Sequence, residues 1–180
     1  MLGKTAAYIF WMFRYLERCE NTARLINASH FISLTQKQNI TNHWDSILNV
    51  GGNKKTFLSK YDEINKSTVI NFTLRDKTNP SSVLSSIENA RQNARIVRNN
   101  LTKELFETVN ETYLKLSEIF KRPINEKNLL KILSTIRTKC QLARGTLHGT
   151  MLRDDTYIFA RMGTFIERAD NTSRILDMKY

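Results

Sequence analysis

Glycine and proline are scarce in this chain of 180 residues, at six and two respectively, so few positions oblige the backbone to turn or break. Two cysteines, Cys19 and Cys140, stand 121 residues apart with no CxxC or Cys/His spacing, which leaves neither a disulfide framework nor a zinc site in view. Three histidines, His30, His43 and His148, form no HExxH or paired arrangement, so no metal site and no cofactor is expected. No apolar run approaches the roughly 20 residues that a membrane span needs. The segment Met1 to Phe13 imitates a signal peptide, yet Arg14, Glu17 and Arg18 follow it without a small-residue cleavage site, and it reads as a helix of the mature protein. A soluble, cytoplasmic protein of one domain, residues 1–180, is the expectation.

Acidic residues are outnumbered, 17 against 28 Lys and Arg, for a net charge of +11. The basic residues are scattered rather than clustered, and no aromatic stacking motif accompanies them, which argues against a dedicated nucleic-acid binder. Gly51-Gly52-Asn53-Lys54-Lys55 is glycine-rich and basic but lacks the spacing of a phosphate-wrapping loop; it reads as a surface turn.

What the chain does have is helical periodicity. Ile9, Met12, Leu16, Cys19, Ala23 and Ile26 recur at spacings of three and four, predicting a long core helix from about Thr5 to about Ser29. Short helices are expected near Asn42–Asn49, Lys55–Tyr61 and Ser67–Leu74. Asn79 with Pro80 suggests a restart that reaches about Asn100. Thr102 caps a helix to about Phe120, Asn125 one from Glu126 to about Thr150, and Asp154 or Asp155 opens the last, ending near Met178. The fold class predicted is all-α, an antiparallel helical bundle.

The most informative feature is an internal repeat of the Glu-Arg helix. Glu17-Arg18-Cys19-Glu20-Asn21-Thr22-Ala23-Arg24-Leu25 returns 150 residues later as Glu167-Arg168-Ala169-Asp170-Asn171-Thr172-Ser173-Arg174-Ile175, with five of nine positions identical. Glu17, Asn21 and Arg24 share a stripe with Arg14, and Glu20 and Arg24 form an i,i+4 pair. Glu167, Asn171 and Arg174 repeat that stripe, and Asp170 pairs with Arg174. The stripe lies opposite Leu16 and Cys19, yet Phe10 and Phe13 extend it, so it is not expected to face plain solvent. Two readings stay open: a buried polar network between the two helices, or a cleft for a carboxylate or phosphate, with Arg91, Arg95, Arg153 and Asp154 as further members. Asp154 equally suits a helix cap. Glu17 and Glu167 could pair as acid and base, but with Arg24 and Arg174 beside them they would make poor general bases.

At these residues the sequence resembles the alpha-E family, named for its helices and its Glu-Arg motif. The resemblance runs from Tyr8-Ile9-Phe10-Trp11 and Arg14-Tyr15-Leu16-Glu17-Arg18 through Asn79-Pro80-Ser81-Ser82 and Ala90-Arg91-Gln92-Asn93-Ala94-Arg95 to Gly149-Thr150-Met151-Leu152-Arg153-Asp154. It implies a bacterial cytoplasmic protein encoded beside a circularly permuted ATP-grasp protein and a transglutaminase-like protein, in a peptide synthesis or modification system. Three departures stand out: Phe13 where the family often has Gly, Thr164 where Arg14 is usually repeated, and a shorter chain than most members. A short or split version, whose exposed apolar surface favours a homodimer, is therefore expected. The leading functional expectation is a non-catalytic binding or partner module of that system; its rival is an enzyme acting on a peptide or amino-acid substrate through the Glu/Arg cluster.

Overall fold

The computed structural model describes residues 2–35 and 40–178. Helix α1, Gly3–Thr35, is followed by α2 (Ile40–Val50), α3 (Lys54–Leu58), α4 (Lys66–Leu74), α5 (Val83–Ile96), α6 (Lys103–Phe120), α7 (Glu126–Thr150) and α8 (Asp155–Asp177), with one 3-10 turn at Arg98–Asn100. No strand occurs among the described residues, and the all-α class stands. The segment that imitates a signal peptide is, apart from Met1 outside the described residues, the start of α1.

Helix ends follow local chemistry. Thr102 accepts from the Leu105 amide at 3.3 Å and starts α6. Asn125 and Asn128 form a reciprocal capping box at α7, and Asn65 with Thr68 does the same at α4. One expectation needs correcting: α5 starts at Val83, capped by Ser82, not at Pro80. Asn79 Oδ1 accepts from the Ser81 amide and its Nδ2 donates to the Phe72 carbonyl, so it closes a turn tied down to α4, and the helix itself begins only after Ser82.

Four helices close a ring, and side-chain pairs give their directions. Cys19 and Tyr8 of α1 meet Val83 and Asn93 of α5, so that pair is antiparallel. Arg91 reaches Asn110 across α5 and α6; Thr102 meets Thr150 across α6 and α7; Arg144 and Gln141 of α7 return to Glu17 and Glu20 of α1. Inside the ring lie Ile9, Met12, Leu16, Cys19, Ala23 and Ile26 with Ile87, Val109, Leu116, Leu133 and Ile136, all buried. Such a ring satisfies the packing rules of an up-down four-helix bundle.

Helix α8 lies outside that ring on the opposite side of α1. Phe10 meets Gly163, Arg14 meets Glu167 and Glu17 meets Arg168, so residue numbers rise together and α8 runs parallel to α1. The inner face of α8 is small or polar, Thr156, Ala160, Gly163, Thr164 and Glu167, all buried. Small side chains bring the two backbones close, and α1 becomes a central helix buried on two sides.

Candidate functional site

Glu17 and Arg18 sit one turn beyond Phe13 on the α8 side of α1; Glu167 and Arg168 hold the corresponding place on α8. The two motifs exchange partners. Glu167 accepts from Arg18 through Nε at 2.6 Å and Nη2 at 3.0 Å, while Glu17 accepts from Arg168 through Nε at 3.0 Å and Nη2 at 3.4 Å. Both carboxylates are buried, Glu17 at 3% exposure and Glu167 at 4%. Burying a carboxylate is unfavourable unless charge and hydrogen bonds compensate it, and here every oxygen accepts from a guanidinium.

Each carboxylate takes a second cation, from a different place. Arg14, one turn ahead of Arg18, donates its Nε to Glu167 at 2.7 Å. Thr164 occupies the matching position on α8 and cannot do the same; its hydroxyl bonds the Ala160 carbonyl. The missing cation comes from α7, where Arg144 Nη1 reaches Glu17 at 2.8 Å. The same Nη1 lies 2.6 Å from Glu20 Oε2, a close ion pair without hydrogen-bond alignment, since that oxygen has no geometrically sound donor. Glu20 Oε1 accepts from Arg24 at 2.6 Å and from Gln141 at 3.3 Å.

The electrostatics follow. Burial pushes the Glu20 carboxyl upward, but the adjacent guanidiniums of Arg144 and Arg24 outweigh it and hold it below the usual carboxylate range. Burial disfavours charge on Arg18 and Arg144, yet Glu167 and Glu20 respectively raise both above the usual guanidinium value. Beneath this network Cys19 and Cys140, distant in sequence, come together as free buried thiols. The Cys140 thiol is pushed well up by its hydrogen bond to Cys19 and by burial.

Toward the C-terminal side of this crossed Glu-Arg clasp, formed by Glu17 with Arg168 and Glu167 with Arg18, a cleft of about 140 Å³ opens between α1, α8, the α2–α3 turn and the α4–α5 turn. Arg18, Asn21, Glu167, Asp170, Asn171 and Arg174 line it, joined by Asn53, Asn79 and Ser81. Arg174 bonds Asp170 at 3.1 Å as expected and extends over Gly52. Gly52 has φ +66, the left-handed region, and a β-carbon there would lie 3.2 Å from Arg174 Nη1.

The structure thus gathers Arg14, Glu17, Arg18, Glu20, Asn21, Arg24, Glu167, Arg168, Asp170, Asn171 and Arg174 on or beside one helix pair. Arg24 and Arg174 pair within their own helices rather than with Glu17 and Glu167. Arg91, Arg95, Arg153 and Asp154 do not join. Arg91 bonds Asn110 and stacks on Tyr113; Arg95 is exposed on α5; Arg153 stacks on Tyr157; Asp154 caps α8 through the Tyr157 amide. Arg91 and Arg95 belong to α5, and Arg153 and Asp154 lie at the N-terminal end of α8, several turns before Glu167. Sequence reasoning missed Arg144 and Gln141, though both sit at the polar edge of the α7 core pattern, and it gave Asn53 and Asn79 only turn and cap roles, not a place in the cleft. Among the described residues no group of three or more His, Cys, Asp or Glu could hold a metal ion.

Comparison with known proteins gives one match. The Alpha-E family model, described as a predicted alpha-helical domain with a conserved ER motif, matches residues 1–180, the whole chain. No curated protein and no solved structure matches it.

Proposed function

Since the chain belongs to the Alpha-E family, we propose that it is a non-catalytic binding module of a bacterial, cytoplasmic peptide synthesis or modification system, docking onto a circularly permuted ATP-grasp protein that works beside a transglutaminase-like protein. The observation that carries this reading is the outward face of α8. Ile158, Met162, Phe165 and Leu176 are each 44–55% exposed. With Ala169 and Thr172 they follow one another at spacings of four, three, four, three and four, the seam of a helix that expects another helix. An exposed apolar seam of this extent marks an interaction surface. Arg161 and Arg168 flank it, their guanidiniums 4.5 and 5.8 Å from the Phe165 ring centre. The fitting partner is therefore an amphipathic helix with acidic residues along that edge.

The rival reading, an enzyme working through Glu17 and Glu167, finds no support in the clasp: all four carboxylate oxygens already accept from Arg14, Arg18, Arg144 or Arg168. A general base needs an oxygen within reach of a substrate proton. No helix among the described residues is long and apolar enough to cross a membrane.

Co-purification with the ATP-grasp protein encoded in the same genome is the test. Association of the wild-type chain that is lost in Met162→Ser/Phe165→Ser supports docking through α8. Failure to associate, with and without nucleotide and substrate, overturns it. So does a wild-type homodimer whose seam remains covered in the presence of the ATP-grasp protein.

A further inference from the structure

The cleft lies on the inner side of α8, facing away from the seam just described, and its chemistry is separate. We propose that it binds a free α-amino acid, recognised by its paired ammonium and carboxylate. The argument starts from the charges at the rim. Arg174 and Asp170 bond each other at 3.1 Å with side chains 50% and 36% exposed, a solvated i,i+4 pair of the kind that contributes little to stability. A zwitterion can replace that pair at little electrostatic loss, its carboxylate taking the place of Asp170 on Arg174 and its ammonium the place of Arg174 on Asp170. Neither a simple anion nor a simple cation offers the exchange, because each leaves one of the two side chains unpaired.

The walls supply the remaining selectivity. Asn21 Nδ2 is buried and donates to no described group, which leaves it a donor for an oxygen. The carboxamides of Asn53 and Asn171 also line the space, and neither hydrogen-bonds to a described group. Glu167 already accepts from both Arg14 and Arg18, so the clasp forms a floor with no free carboxylate oxygen and one positive charge in excess. A cavity of about 150 Å³ holds a benzene-sized molecule; the 140 Å³ here suits a backbone head group with a short side chain rather than a nucleotide. Gly52 keeps the rim open, for a side chain at that position would press on Arg174.

The experiment is a titration of the ¹⁵N-labelled full chain with each of the twenty common amino acids, with acetate and with methylamine, following the side-chain amide signals of Asn21, Asn53 and Asn171. At least one amino acid is expected to shift them saturably, with acetate and methylamine at least tenfold weaker. Asp170→Asn and Arg174→Gln, both at the exposed rim and compatible with folding, are each expected to weaken that amino acid about tenfold. No saturable shift with any amino acid overturns the proposal, as does acetate binding as tightly as the whole zwitterion. The two rim variants leave docking through the α8 seam intact, and Met162→Ser/Phe165→Ser leaves the amide shifts intact, so either proposal can fail without the other.

Discussion

Gly163 lies so close beneath Phe10 that a β-carbon on it would stand 2.2 Å from the Phe10 carbonyl oxygen. In an ordinary helix interior, Gly→Ala stabilises by roughly 0.5–1 kcal/mol. Here the obstacle is backbone, which cannot rotate aside, so α1 and α8 must separate. Gly163→Ala is expected to destabilise by about 2 kcal/mol, read from the shift of the urea midpoint. An unchanged or raised midpoint would show that the two helices do not meet there.

Removal of Arg144 leaves Glu17 and Glu20 buried with a cation fewer. Breaking a buried pair from one side costs about 3–5 kcal/mol, and since Arg168 and Arg24 remain, the lower end is expected for Arg144→Met. Lys139→Met, at a 4.0 Å contact between a half-buried lysine and the exposed Glu111, is the control and should change stability by less than about 0.5 kcal/mol. Equal effects would mean that Arg144 is only another surface cation.

Stability should fall in two stages as pH is lowered. Burial, with Arg161, Arg153 and Arg144 nearby, holds His148 below its ordinary value, and burial does the same for His30. A depressed folded-state value means that the unfolded chain takes the proton first, so this stability is complete above about pH 6.5 and drains below it. Glu20 and Asp76 are also depressed. For Asp76 burial opposes the shift, and hydrogen bonds from Lys60, Thr78 and Tyr61 outweigh it. Their contribution is complete above about pH 4 and is lost as pH falls through their lowered values. His148→Gln should shrink the first stage to the share of His30 and leave the second unchanged, in urea midpoints measured from pH 8 to pH 3.

Both thiols should be silent to a thiol reagent at neutral pH while the protein is folded. Cys19 and Cys140 are wholly buried, and the Cys140 thiol is pushed up by Cys19 and burial. Two reactive thiols are expected only after denaturation; rapid reaction in the native state would contradict the packing of α7 on α1.

Much of this was legible in the sequence because the relevant signals are local. Thr102, Asn125 and Asp154 act as caps where their side chains predict it, and the core stripe of α1 is buried as its periodicity requires. Glu17 and Glu167 could be singled out because a nine-residue segment around them recurs with five positions identical. Arg144 could not, since only the return of α7 against α1 brings it to the gap left by Thr164. The cleft was half visible: Asn21, Asn171 and Arg174 lie on the repeated stripe, whereas Asn53 and Asn79 reach it from turns whose placement depends on long-range packing. The start of α5 was misplaced because Asn79 has a tertiary partner, the Phe72 carbonyl, that no local rule reveals.

The crossed pairing of the two Glu-Arg motifs is tested most directly by a double-mutant cycle in urea with Arg18→Met, Glu167→Gln and the pair together. Residues in direct contact within one network couple by about 0.5–3 kcal/mol, and Arg18 and Glu167, 149 positions apart in sequence, should fall in that range. A coupling below about 0.5 kcal/mol, the value for independent sites, would contradict the clasp.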